Sequence, residues 1–209
     1  MKGFSAIAAI LILSGCGVLH RHHPVTRHDF GITPQTAGTV LPVKLQLLPV
    51  NAPQWINSRD INYRLAYKHN DHIAAYTESA WIAPPPGLLA LRLHNASPDH
   101  LLTLDKLPPR TYCTLQVDLE TFEQVFDTPN TSNAHMALHV TLSSRRNREF
   151  VMQTSIYNTA VAPSPDARGG SAALAAACDA TVQQTLRWLQ QTFDPESDEG
   201  RKHIAMCTD

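Results

Sequence analysis

Ile61-Asn62-Tyr63-Arg64-Leu65-Ala66-Tyr67 is the stretch on which the reading of the fold rests. Ile61, Tyr63, Leu65 and Tyr67 alternate with Asn62, Arg64 and Ala66, the period of two that marks a half-buried strand. His69-Asn70-Asp71 behind it is turn chemistry, and Ile73 to Ile82 holds a further strand, so 61–82 reads as a hairpin ending at Trp81. Upstream, Val43, Leu45 and Leu47 alternate with Lys44 and Gln46, which predicts a strand over Val43 to Val50, ended by Pro49, Asn51 and Pro53.

Downstream, Pro84-Pro85-Pro86-Gly87 opens a helix that runs to about Asn95, because proline fits a first turn whose N–H groups have no helical partner. Residues 98–110 read as a loop. Three more strands follow. Leu115, Val117 and Leu119 mark one, Met136, Leu138, Val140 and Leu142 the next, and Phe150, Met152 and Ile156 the last. Arg145-Arg146-Asn147-Arg148 is the tip between the last two, read either as a solvated turn or as a contact for phosphate head groups. A final helix is expected from about Ser171 to Phe193, with Leu174, Ala177, Val182, Leu186, Leu189 and Phe193 on its apolar face. The order is βββαβββα. It predicts a single α/β (mixed α+β) domain over 41–194, with a mixed sheet of about six strands, two main helices and a flexible acidic tail over 195–209.

The N-terminus carries a separate message. Lys2 supplies a positive n-region, Phe4 to Leu13 an apolar run, and Leu13-Ser14-Gly15-Cys16 follows. This pattern resembles the lipobox of bacterial lipoprotein signals. The resemblance implies removal of residues 1–15 and a covalent lipid on Cys16. The run of about ten apolar residues is half of what a bilayer-spanning helix needs. An ordinary secretory signal with a chance cysteine is the other reading. Residues 16–40 are expected to form a tether. Its His20-Arg21-His22-His23 tract is either solvated near anionic head groups or metal-binding, and Phe30 is expected to dock where the folded part begins.

Net charge is −1, which argues against nucleic acid as a partner. A hydrophobic fraction of 43% excludes wholesale disorder. Beyond Cys16, Cys113, Cys178 and Cys207 allow at most one disulfide within the chain and leave one thiol free. Cys113 and Cys178 also read as small buried hydrophobes, and Cys207 is expected on the tail. There is no GxSxG, HExxH, Walker loop or GxGxxG, so the chain is not expected to be an enzyme. No cofactor is expected beyond the lipid. Gly169-Gly170 ahead of the last helix reads as a hinge or as an anion-binding turn. Trp55, Tyr63, Tyr67, Tyr76 and Trp81 fall within 55–81, either as core packing or as one face forming an interface anchor or an acyl-chain pocket.

Several stretches carry a family resemblance. Pro53-Gln54-Trp55-Ile56-Asn57-Ser58-Arg59-Asp60-Ile61-Asn62-Tyr63-Arg64-Leu65-Ala66-Tyr67 resembles the "PWL-x-S-x-x-I-x-YRL-x-Y" stretch of the ABC-type transport auxiliary lipoproteins, the PqiC-type lipoproteins that accompany MCE-domain lipid transporters. Tyr76 with Ser79-Ala80-Trp81-Ile82-Ala83-Pro84 is similar to that family's "Y-x-x-S-R-W-x-x-P" segment, with Ala80 in place of arginine. Leu119-Glu120-Thr121-Phe122-Glu123-Gln124-Val125-Phe126 is similar to its "EL-x-x-F-x-Q-x-F" stretch, and Gly169-Gly170 with Trp188-Leu189 to its C-terminal helix. The resemblance covers about 50–190. It implies a non-enzymatic periplasmic domain anchored in the outer membrane, with Gly17 rather than aspartate after Cys16. It also implies an MCE-domain partner with a permease and ATPase behind it, and lipid or other apolar cargo moved between the membranes. A homo-oligomeric ring would match a ring-shaped partner. Contacts are expected at Trp55, Tyr63, Arg64, Tyr67, Tyr76 and Trp81 and at any unpaired sheet edge.

Overall fold

The computed structural model describes residues 24–32, 39–103, 113–145 and 150–208. Its elements in order are β1 (Thr26–His28), β2 (Leu45–Leu47), β3 (Asp60–Leu65), β4 (Ile73–Trp81), α1 (Pro85–Ala96) and β5 (Leu101–Leu102). They continue with β6 (Cys113–Thr128), β7 (Thr131–Ser144), β8 (Phe150–Val161), α2 (Ala167–Thr192) and α3 (Asp198–Thr208). The expected mixed α+β domain with one mixed sheet is what forms, with eight strands and three helices among the described residues.

β6 is the spine. No glycine or proline interrupts its 16 residues, and Cys113, Leu115, Val117 and Leu119 alternate into the core. A register shift between Leu119 and Thr121 then resets the alternation, so Phe122, Gln124 and Phe126 are buried next. β7 runs back antiparallel along the whole of β6, from Cys113↔Ser144 to Thr128↔Thr131, and β8 adds antiparallel to β7. The other edge of β6 is shared. β2 pairs parallel with residues 113–115, and β3 parallel with 124–126. β3 and β4 form the expected hairpin, β1 lies parallel on β4, and β5 lies parallel on β2.

The helices cover one face. α2 packs on β7 and β8, burying Leu174, Ala177, Val182, Leu186 and Leu189 in a core with Met136, Leu138, Val140 and Ile156. Arg92 of α1 bridges to Asp179 of α2 at 3.1 Å. No described helix is long and apolar enough to cross a membrane.

Several expectations are corrected. The tether is not wholly a tether, because β1 lies within 16–40. Phe30 docks as expected, with its ring 5.4 Å from Trp81 and 5.6 Å from Phe122. Cys16 and the His20–His23 tract lie outside the described residues. The first strand shrinks to Leu45–Leu47, and Gln46 is buried where the alternation put it outside. Arg145 donates to its side-chain oxygen at 2.9 Å, which satisfies the buried amide. Arg146 and Arg148 are outside the described residues. Leu101 and Leu102 turn part of the expected 98–110 loop into β5.

The acidic tail is the largest correction. Asp198 and Glu199 open α3, where carboxylates favour the positive helix end, and the Ser197 hydroxyl accepts from the Gly200 N–H at 2.9 Å. Cys207 is buried rather than mobile and is disulfide-bonded to Cys113, with Cα atoms 5.1 Å apart. Among the described residues, Cys178 is the free thiol. Burial pushes its ionisation well up, so it is a poor partner for exchange. The disulfide spans 94 residues of sequence. Cys207→Ser, or reduction of the native protein, should therefore cost about 2–5 kcal/mol of stability in guanidinium unfolding. An unfolding midpoint unchanged by reductant would show that α3 holds without it.

Candidate functional site

Strand alternation decides where the six expected contact residues go. Tyr63 and Tyr76 sit on the helix-covered face, with rings 4.7 Å apart, and Phe126 lies 6.0 Å from Tyr63. The Tyr76 hydroxyl donates to Gln124 Oε1 at 2.9 Å, and Gln124 Nε2 donates to Ser132 Oγ at 2.7 Å. Burial first, then Tyr63 and Asp166, push the Tyr76 phenol well up, so it stays a neutral donor. Trp81 is fully buried against Phe30 and Phe122. Arg64 is on the opposite, open face. Tyr67 lies past the end of β3, half exposed beside Lys68. Trp55 stands on a loop at 40% exposure, its carbonyl accepting from Asn62 Nδ2 at 2.9 Å. The aromatics therefore do not share one face. Trp81 is core, Tyr63 and Tyr76 are half-buried on the helix-covered face, and the other side keeps Trp55, Arg64 and Tyr67.

Arg64 organises the open face next to β6. Its Nε and Nη2 each meet a carboxylate oxygen of buried Glu123 at 3.1 Å, and its Nη1 donates to the Asn70 carbonyl at 2.6 Å. Along the same face, His135 bonds the Tyr157 hydroxyl at 2.8 Å and His139 bonds Ser155 Oγ at 3.1 Å. Asp118 stands opposite His139 in register, so carboxylate, imidazole and hydroxyl follow one another across three strands. The Asp118 carboxylate accepts from Asn51 at 2.9 Å and from Gln116, while His139 turns its Nδ1 to Ser155. Trp55 and Ile73, each about 40% exposed, border a shallow depression of mixed polarity that Gln54, Ser58, Asp60 and Asn62 also line.

Gly169 and Gly170 serve packing. A side chain on Gly169 would meet the Ser164 backbone at 2.0 Å, and one on Gly170 would meet Gln124 Oε1 at 1.9 Å. The helix N-terminus they open is already occupied by an anion of its own. The Asp166 carboxylate caps α2 by accepting from the Gly169 N–H at 2.7 Å.

Three other features stand outside these residues, the first of them the kind of unpaired edge that was expected without a position. β8 pairs only with β7, so its outer edge is free among the described residues. It carries no charged residue over Phe150–Val161, and Tyr157 is 57% exposed. A groove of about 560 Å³ runs between β2 and α1, lined by Leu47, Leu48, Pro49, Ala90 and Leu91 with Gln46, His94 and Thr103. Among the described residues, His69, Asp71 and His72 are the group with the composition to hold a metal ion. The lack of charge on β8 was visible in the sequence, but its edge position needed the sheet order.

No family model and no curated protein matches the chain. The solved structure of protein XCC0632 from Xanthomonas campestris, assigned to the family DUF330, matches with a TM-score of 0.67 at 19% identity, over 80% of this chain and 95% of that one. A second, described only as an uncharacterised protein, matches with a TM-score of 0.61 at 10% identity, over 79% and 99%. At these identities the likeness is one of fold, shared with a DUF330 protein.

Two predictions rest on this geometry. Arg64→Ala strands the buried Glu123 carboxylate and should cost about 3 kcal/mol in urea unfolding, at the low end for a broken buried pair; a loss below about 0.5 kcal/mol would mean that water replaces the arginine freely. Asp166 is held below its ordinary 3.8 by the Gly169 N–H, then by Ser164. Its contribution is therefore present above the unfolded value and lost as pH falls through the lower folded one. Asp166→Ala should cost about 1 kcal/mol at pH 7, and the gap between variant and parent should narrow as acidification carries the protein below the ordinary aspartate value of 3.8. A gap that widens there would contradict the cap.

Proposed function

We propose that this chain is the membrane-anchored periplasmic lipoprotein of an MCE-type ABC transport system. It docks or scaffolds the transporter's MCE-domain subunit so that lipid passes between inner and outer membrane, and so supports envelope integrity. Cys16 carries the lipid that fixes it to the outer membrane, and the chain performs no catalysis. The sequence stretches over 50–190, the N-terminal signal and the fold shared with a DUF330 protein support this reading.

The observation that carries the docking role is β8. Free edges usually carry lysine, proline or a covering element that blocks strand addition. A twelve-residue edge with no charge is suited to accept a strand, whether from the MCE-domain partner or from a second copy in a ring. Trp55 and Ile73 add apolar area on the neighbouring open face.

A second reading is a module that carries apolar cargo itself. The groove between β2 and α1 favours it, since about 560 Å³ falls within the roughly 300–1,000 Å³ of small-molecule sites. It is not the pocket under the aromatic strands that the sequence suggested, because Tyr63, Tyr76 and Phe126 fill that space.

Affinity capture of the detergent-extracted protein should recover an MCE-domain partner. Gln153→Lys with Thr159→Lys, both exposed on β8, should lower recovery at least about tenfold without unfolding the domain. Cys16→Ala should abolish complementation of a deletion strain while leaving a folded body. Undiminished recovery by the lysine variant would remove β8 from the interface, and a fully active soluble form would remove the anchor. Native mass spectrometry showing co-purified lipid, lost on Leu91→Glu, would favour the cargo-carrying reading instead.

A further inference from the structure

The turn between β3 and β4 presents His69, Asp71 and His72, all exposed. One ligand atom from each lies within 4.8 Å of the other two. The imidazole rings stack with centroids 4.8 Å apart and 28° between their planes, and Asp71 Oδ2 is 3.7 Å from His72 Nε2. The backbone beneath them is braced. The N–H groups of Lys68 and His69 both donate to the Leu65 carbonyl at 2.9 Å, and Arg64 holds the Asn70 carbonyl at 2.6 Å. Arg64 is itself gripped by buried Glu123, so the turn is tied through two side chains to the spine of the sheet. Its positive charge is matched by that carboxylate and does not stand unpaired beside the three donors.

We propose that His69, Asp71 and His72 form a binding site for a divalent transition-metal ion, with Zn²⁺ the best fit. Two imidazoles and a carboxylate suit zinc, copper or nickel, whereas calcium and magnesium require oxygen shells. Donors about 2.0–2.1 Å from a tetrahedral zinc stand about 3.3 Å apart. The three groups therefore close by about 1.5 Å, which rotamer changes of exposed side chains supply. Three protein ligands leave a fourth position for water. Arg64 acts here as a positioning residue, fixing the turn from which the ligands hang.

Untagged, detergent-solubilised full-length protein titrated with Zn²⁺ in a calorimeter tests this. The titration is repeated with His69→Ala/His72→Ala, and with His20→Ala/His22→Ala/His23→Ala to separate the other histidine tract. One Zn²⁺ per chain should bind in the parent and in the N-terminal variant, and the turn variant should bind at least about tenfold more weakly. Should the turn variant fail to fold, Asp71→Asn keeps the shape, removes the charge and should show a weakening in the same direction. Histidine NMR signals of His69 and His72 should shift together on zinc addition. Equal affinity in the folded turn variant, loss of binding with the N-terminal variant alone, or no binding by the parent would each overturn the proposal.

Discussion

The structure depends on β6 being satisfied along both of its edges. A sixteen-residue strand carries a long row of backbone donors and acceptors, and buried ones cannot be left unpaired. β7 answers the whole of one edge. The other is divided between β2 at one end and β3 at the other, with Asn51 bridging to Asp118 between them. The sheet therefore forks at β6, and one prong carries β5 while the other carries β4 and β1. The register shift after Leu119 lets both prongs put apolar side chains under the same helices, because it resets the face on which even-numbered residues lie.

That fork separates two kinds of surface. The helix-covered face is closed by Tyr76, Gln124 and Gly170, linked by one hydrogen bond and one close approach, with the Tyr63 ring against Tyr76. The open face is polar and braced by Arg64 and Glu123. Function as proposed belongs to the second surface and to the β8 edge. The aromatic run is divided between core and surface by the strand period itself.

The strands with clear alternation were legible in the sequence. Residues 61–65 and 136–143 form strands where expected, and the Pro84–Gly87 start and Pro195 stop bracket the two long helices. β1 and β5 were not, since two or three residues have no period to detect and exist only through their parallel partners. α3 was misread because Asp198 and Glu199 suggest solvent, although the same acids behind Ser197 are a helix start. Of the candidate site, the residues were legible but not their division. Tyr63 and Arg64 are neighbours in sequence and lie on opposite faces. His69-Asn70-Asp71 reads in sequence only as turn chemistry, because the approach of the His69, Asp71 and His72 ligand atoms is a property of the folded turn.

The disulfide has a mechanical consequence. Any pull reaching the body from the N-terminal side arrives first at β1, a three-residue strand at the sheet edge, and then at Phe30, wedged between two rings of the core. Beyond that point the 94 residues between Cys113 and Cys207 would add roughly 300 Å of slack if they unravelled. The covalent link removes that slack. Under a pull between the two ends of the chain, slack can come only from residues ahead of Cys113, and the spine, β8 and α2 are shielded inside the closed loop.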